Sequence, residues 1–264
     1  MGGDGDRSPG GPTPGRAREG NDERLPDQDP AGSLLHLATW SAIGRRGRPA
    51  VRRIRRDLVV LLASLAVFAV CTVAVDERVG PAERAVFHAV NGLPDWLYRP
   101  MLVFQYFGVL AMPLVVAVGA LAFRRWRLAA ALVLVMPLKL LSERVPKLLV
   151  ERQRPGTTVP DAILRGVPSA GPSFTSGHAI ITFAIAGLLL LALPRRWGVV
   201  ALVLASLNAV ARVYLGAHNP LDVVGGAALG LALAAVLDLL FNVARDRTGG
   251  PHPRPAPAAH EQAP

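Results

Sequence analysis

Six stretches of this 264-residue chain are apolar over the length that a membrane-spanning helix needs, and no other feature constrains its fold as strongly. A hydrocarbon core about 30 Å thick takes roughly 20 residues of helix, each rising about 1.5 Å. The runs 58–75, 101–123, 128–150, 178–193, 198–215 and 221–241 qualify, the third being less uniformly apolar than the rest. The expected fold class is therefore all-α: a polytopic membrane bundle of six transmembrane helices. Between the first two runs, "AERAVFHAV" predicts one short helix at the interface.

The flanks read differently. The first 40 or so residues and the last 16 are rich in Gly, Pro and charge, and poor in aliphatic residues. Such segments bury too little surface to order themselves. The expected organisation is a disordered Arg-rich tail over 1–57, a membrane domain over 58–245 and a second disordered tail over 246–264. The first apolar run lies behind a long polar segment and is expected to remain as an uncleaved anchor. Cys71 is the single cysteine, so no intrachain disulfide can form.

A formal net charge of +10 raises the question of a nucleic-acid partner. The arginines answer it by their placement. Arg45, Arg46, Arg48, Arg52, Arg53, Arg55 and Arg56 crowd the approach to the first apolar run, where anionic headgroups attract them. No nucleic-acid partner is expected. Arg124, Arg125 and Arg127 follow the second run, Arg195 and Arg196 the fourth, Arg245 and Arg247 the sixth. The positive-inside bias then places both termini in the cytoplasm and predicts a multi-pass protein of the inner (plasma) membrane.

Some residues inside the apolar runs demand partners. Lys139 and Glu143, near mid-bilayer and one turn apart, are expected to pair facing the bundle interior, either as a structural ion pair or as part of a site. Pro137 and Pro146 predict kinks in the same helix. Gly226 and Gly230 give a small-xxx-small spacing, which predicts tight packing within the bundle.

Three polar clusters interrupt the apolar pattern: "KLLVERQRP" at the end of the third run, "PSFTSGH" at the start of the fourth, and "ARVYLGAHNPLD" joining the fifth to the sixth. Counting crossings places all three on one side of the membrane, and the arginine bias makes that side extracytoplasmic. Each has a local explanation. Lys147 can pair with Glu143 and Glu151, "TSGH" can cap a helix, and "NPLD" fits Asn219 as N-cap, Pro220 at the first helical position and Asp222 in the first turn. These explanations leave out His178, Arg212 and His218. A chemical reading uses them all. Lys147, Arg154 and Arg212 suit a doubly charged phosphoryl group, and the helix start at Ser176 and Gly177 offers backbone donors to the same anion. One histidine can then attack phosphorus while the other protonates the departing oxygen.

K-x6-R-P from Lys147, S-G-H from Ser176 and R-x5-H-x3-D from Arg212, in that order, resemble the three signature motifs of the type 2 phosphatidic acid phosphatase family. Its membrane members have six spanning helices, and the vanadium haloperoxidases are soluble relatives with the same motifs. The resemblance covers about 58–245. Thr175 stands where the family usually has proline, and Ala211 where it usually has serine. The resemblance implies that His218 is the nucleophile, Asp222 its activator, and His178 the general acid. Lys147, Arg154, Ser176, Gly177 and Arg212 would hold the phosphate. It implies no cofactor and no metal. The expected activity is hydrolysis of a lipid phosphate monoester or diphosphate at the outer leaflet, through a phosphohistidine. A lipid-linked phosphotransferase using the same intermediate is the alternative within enzymes, and a lipid transporter or binding protein with a vestigial site is the alternative outside them. The substrate and oligomeric state are unknown from sequence. Arg165, in the loop between the first two motifs, is read as a solvated arginine or a contact for a second phosphate.

Overall fold

The computed structural model describes residues 30–76, 78–168 and 170–244, the side chains of 30–50 excepted. Two compact units divide the chain, Met1–Pro49 and Ala50–Pro264, and the second carries every candidate site residue. The helices are α1 (Pro30–Ala74), α2 (Pro81–Asn91), α3 (Tyr98–Tyr106), α4 (Met112–Ala122), α5 (Trp126–Leu149), α6 (Pro155–Thr158), α7 (Gly177–Ala192), α8 (Arg195–Tyr214) and α9 (Pro220–Phe241). A single 3-10 turn, Asp95–Leu97, precedes α3. Among the described residues there is no strand, only one isolated bridge between Gln153 and Pro172.

Among the described residues, three segments are long and apolar enough to cross a membrane: Val51–Ala74, Arg195–Tyr214 and Pro220–Phe241. Helices α4 and α7 are as apolar but shorter. Helix α5 has the length, 24 residues, and carries Lys139, Glu143 and Arg144 within it. It continues through Pro137 and Pro146 as one element. The interfacial helix expected between the first two runs is α2, which starts on Pro81 and turns Phe87 and Asn91 inward.

Two boundaries differ from expectation. Backbone helix in α1 begins at Pro30, inside the tail expected to be disordered to residue 57. The tail residues 1–29 and 245–264, with Arg245 and Arg247, lie outside the described residues. The second apolar run is not one helix either. It breaks at 107–111, and helix resumes only at Met112. Pro113 falls in the first turn of α4, where its missing N–H has no helical partner to lose.

Helix α7 lies against α5, α8 and α9. Its contact with α9 is backbone on backbone. A Cβ on Gly226 would stand 2.6 Å from the Ser176 carbonyl oxygen, and one on Gly230 would stand 2.5 Å from that of Ile180. Packing of this closeness is how helices associate where lipid removes the hydrophobic drive. Large aliphatic side chains such as Val59, Leu62, Val73, Val115, Val118 and Leu148 point outward, as lipid-facing positions do. At the bundle end away from the candidate site, buried Asp238 of α9 accepts from Arg56 at 2.9 Å and lies 3.9 Å from Arg53, both of α1.

Candidate active site

The start of α9 fixes the first part of the site. Asn219 takes the N-cap position, and its backbone N–H donates to Asp222 Oδ2 at 2.8 Å, the reciprocal half of a capping box. The local capping explanation therefore holds for Asn219, Pro220 and Asp222. It also leaves Asp222 fully buried and immobile beside His218. Asp222 Oδ2 accepts from the Ser173 hydroxyl as well, and Ser173 Oγ lies 3.4 Å from His218 Nδ1. The direct separation of His218 Nδ1 from Asp222 Oδ2 is 3.8 Å. With two oxygens facing Nδ1, the proton of a neutral imidazole belongs there, and Nε2 keeps its lone pair. Burial pushes His218 from the usual 6.5 down to about 4; Asp222 opposes this, and the cations Arg212 and Arg154 add to it.

The second part is a cavity of about 350 Å³ lined by His178, Arg154, Arg212, Gln105, Tyr106, Val109 and the loop Gly166–Pro168. His178 stands in the first turn of α7. Arg212, at the end of α8, is held by Gln105 Oε1 at 2.8 Å from Nη1, and its buried Nε has no partner within the protein. Arg154 follows α5 and donates to the Ala217 carbonyl at 3.3 Å, next to His218. Desolvation lowers Arg154 from its ordinary value, against the pull of Asp222 and Glu143. His178 lies close enough to Arg212, His218, Lys139 and Arg154 to interact with each electrostatically. A cavity with two guanidinium groups and an imidazole on its wall suits a phosphoryl dianion.

Three expected phosphate ligands sit differently. Lys147 Nζ is 2.6 Å from Glu143 Oε1, the partner that its local reading named, while Lys139 holds the other oxygen of the same carboxylate at 2.5 Å. Ser176 gives its backbone N–H to the Asp222 carbonyl at 3.0 Å, leaving its buried hydroxyl unpartnered. Ser176 takes the N-cap position without a side-chain cap bond, so the capping explanation for "TSGH" fails there. Gly177 is small for a reason that was not foreseen: a Cβ would collide with the Lys139–Glu143 pair.

Arg165 corrects an expectation. It is neither solvated nor on the cavity: its guanidinium lies 4.1 Å over the Tyr214 ring, and Nη1 donates to the carbonyls of Asn91 and Tyr214 at 2.8 Å. It clamps loop to bundle because buried carbonyls at the ends of α2 and α8 need donors. Ser173, Arg152, Glu83, Gln105 and Gly108 went unseen in the sequence. Ser173 lies inside the second cluster and Arg152 inside the first, but Glu83, Gln105 and Gly108 carry no local signal. Buried Arg152 lies 2.6 Å from Glu83 and 3.4 Å from Asp222. Gly108, in the break between α3 and α4, packs directly on His178. No group of three or more His, Cys, Asp or Glu side chains suited to a metal occurs among the described residues.

The helices thus bring two imidazoles, a buried carboxylate and two cavity-lining arginines to one end of the bundle. The PAP2 superfamily model matches residues 106–246, and the chain belongs to that superfamily. Among curated relatives, an undecaprenyl-diphosphatase of Sulfolobus acidocaldarius is 30% identical over 142 residues; the match spans 53% of this chain and 66% of that protein, just under two thirds of its length. Among solved structures, a transmembrane PAP2-type phosphatidylglycerolphosphate phosphatase of Bacillus subtilis superposes with a TM-score of 0.55 at 26% identity, covering 68% of this chain and 94% of that one. LpxE of Aquifex aeolicus shares the fold, with a TM-score of 0.57 at 24% identity over 62% of this chain and 98% of its own.

Proposed function

We propose that this protein is an integral membrane phosphatase that hydrolyses a lipid phosphate monoester or diphosphate through a phosphohistidine. The carrying observation is the wiring of His218 Nδ1 to Ser173 and Asp222 beside a cavity walled by His178, Arg154 and Arg212. His218 Nε2 attacks phosphorus, the bond to the leaving oxygen breaks, and His178 gives that oxygen its proton. Water then attacks the phosphohistidine, returning its proton to His178 and releasing inorganic phosphate. Arg154 and Arg212 hold the charge that spreads over the equatorial oxygens. Lys147 joins them by leaving Glu143, which Lys139 continues to neutralise. No metal enters these steps.

The substrate class follows from the surroundings. The cavity takes a headgroup, and the outward aliphatic side chains take its hydrocarbon tail. The relatives whose names denote a diphosphatase and a phosphatidylglycerolphosphate phosphatase support the same class. In this reading α1, the broken pair α3–α4, α5, α7, α8 and α9 make six crossings, with the cavity extracytoplasmic. Helix α7, 16 residues long, rises about 24 Å, less than a hydrocarbon core about 30 Å thick.

Phosphate release from a panel of phosphatidate, phosphatidylglycerophosphate and polyprenyl diphosphate tests the reading. Purified His218→Ala and His178→Ala proteins should each lose turnover by at least about 1000-fold. Near-normal turnover in either one ends the proposal.

A further inference from the structure

The least exposed arginine at the site stands at an unspecified position of K-x6-R-P, not at one of the motif's fixed residues. Arg152 is 1% exposed, and it sits where its guanidinium bridges two carboxylates from distant parts of the chain. Nη2 lies 2.6 Å from Glu83 Oε2 of α2, and Nη1 lies 3.4 Å from Asp222 Oδ1 of α9. The other oxygen of each carboxylate is committed to backbone. Glu83 Oε1 accepts from the Leu221 N–H at 2.9 Å, and Asp222 Oδ2 accepts from the Asn219 N–H at 2.8 Å. Glu83 and Asp222 thus both grip the first turn of α9, with Arg152 between them. A buried arginine costs too much to be kept for adhesion alone when an apolar residue would pack the same space.

We propose that Arg152, braced by Glu83, is a positioning residue: it aims the Asp222 carboxylate at His218 and sets the pH at which the His218–Asp222 pair takes up a proton. The assignment rests on the proposed function, in which neutral His218 is the nucleophile. The charges acting on that pair are Arg212 from α8, Arg152 and Arg154 from the segment after α5, Glu83 from α2 and His178 from α7. Of these, Arg152 and Glu83 are the two that line no part of the cavity and touch no phosphate.

The sign of each perturbation follows from counting charge. Removing the Arg152 cation leaves the pair with one more uncompensated negative charge. The pair then binds a proton at higher pH, and activity is lost whether the proton rests on nitrogen or oxygen. Removing the Glu83 anion does the reverse, and Gln at that position can still accept from Leu221. A residue that merely holds the fold would move neither limb.

The test is kcat and KM for phosphate release from dioctanoyl phosphatidate across pH, with the full chain in detergent and thermal unfolding alongside. The acidic limb of Arg152→Gln should move up by about one pH unit and that of Glu83→Gln down by about one. Arg152→Lys should keep the wild-type limb, and KM should stay within about twofold in all three, since none meets substrate. Limbs that stay in place, or that move the same way in both neutral variants, overturn the assignment. If Arg152→Gln does not fold, the sign of the Glu83→Gln shift decides. Turnover surviving in His218→Ala overturns the proposed function and this inference with it. Loss of turnover there, with unmoved limbs, removes Arg152 from the mechanism and leaves the phosphatase reading standing.

Discussion

Gly108→Ala adds one methyl group at the break between α3 and α4. The new carbon would stand 2.7 Å from both Cβ and Cδ2 of His178, and 2.9 Å from Cγ. Carbon atoms rest at about 3.5–4.0 Å, so the imidazole or the turn must yield by about 1 Å. Gly108 does not use a left-handed backbone, so the methyl clash is the whole perturbation. Overpacking of this kind costs about 1–3 kcal/mol, which a bundle of this size survives. Activity is more sensitive, because a catalytic group displaced by about 1 Å loses on the order of 100-fold. The expected result is folded protein whose melting temperature falls by a few degrees and whose kcat for lipid phosphate falls about 100-fold. Gly119→Ala is the control: its added Cβ meets nothing within 4 Å, and alanine favours helix over glycine by about 1 kcal/mol. That variant should match wild type in turnover. A Gly108→Ala protein with wild-type kcat would refute the argument that the broken helix seats His178.

Further outcomes are expected elsewhere. Ser173→Ala removes the hydroxyl between Asp222 and His218 and should lower kcat about 10- to 100-fold with little change in KM, read by steady-state phosphate release. Lys139→Met leaves Glu143 to Lys147 alone, so KM for lipid phosphate should rise about tenfold while kcat holds; an unchanged KM would make the pair purely structural. Because burial holds His218 near 4 in the folded protein against the usual 6.5, it stays neutral above about pH 4, as the proposed nucleophile must, and the acidic limb of kcat/KM should fall well below 6.5. The same depression means that the unfolded chain binds the proton first, so this group's share of stability is full above 6.5 and is lost as pH falls toward 4, as urea or thermal titration would show. Replacing Arg53 and Arg56 together with Gln strips Asp238 of its cations and should cost about 2–3 kcal/mol of stability with turnover unchanged, measured by thermal unfolding.

The helical class and the gathering of the motifs were legible because apolar runs fix the number of chain reversals, and reversals fix which ends share a side. Residues Asn219, Pro220 and Asp222 announced a helix start, and Gly226 with Gly230 announced a close approach. What hydropathy cannot register is a break inside an apolar run. The turn at 107–111 is as hydrophobic as the helices beside it, and only Pro113 hints at it. Side-chain destinations were harder still. Arg165 reads as a loop arginine because its acceptors, the Asn91 and Tyr214 carbonyls, come from distant segments. Lys147 has both an anion to receive and a carboxylate four residues away, and sequence alone does not rank the two. Glu83 reaches the site across most of the domain, with nothing around it to mark the connection.

The glycines of α9 bear on how such a site can change. At Gly226 and Gly230 the backbone of α9 meets the Ser176 and Ile180 carbonyls of α7 directly, and the hydrogen bond from Ser176 N–H to the Asp222 carbonyl joins their first turns. His178 and His218 are therefore carried on a common frame. Diversification toward new lipids would have to leave that frame alone and act through the parts that merely lean on it, namely the 107–111 turn and the Gly166–Pro168 rim.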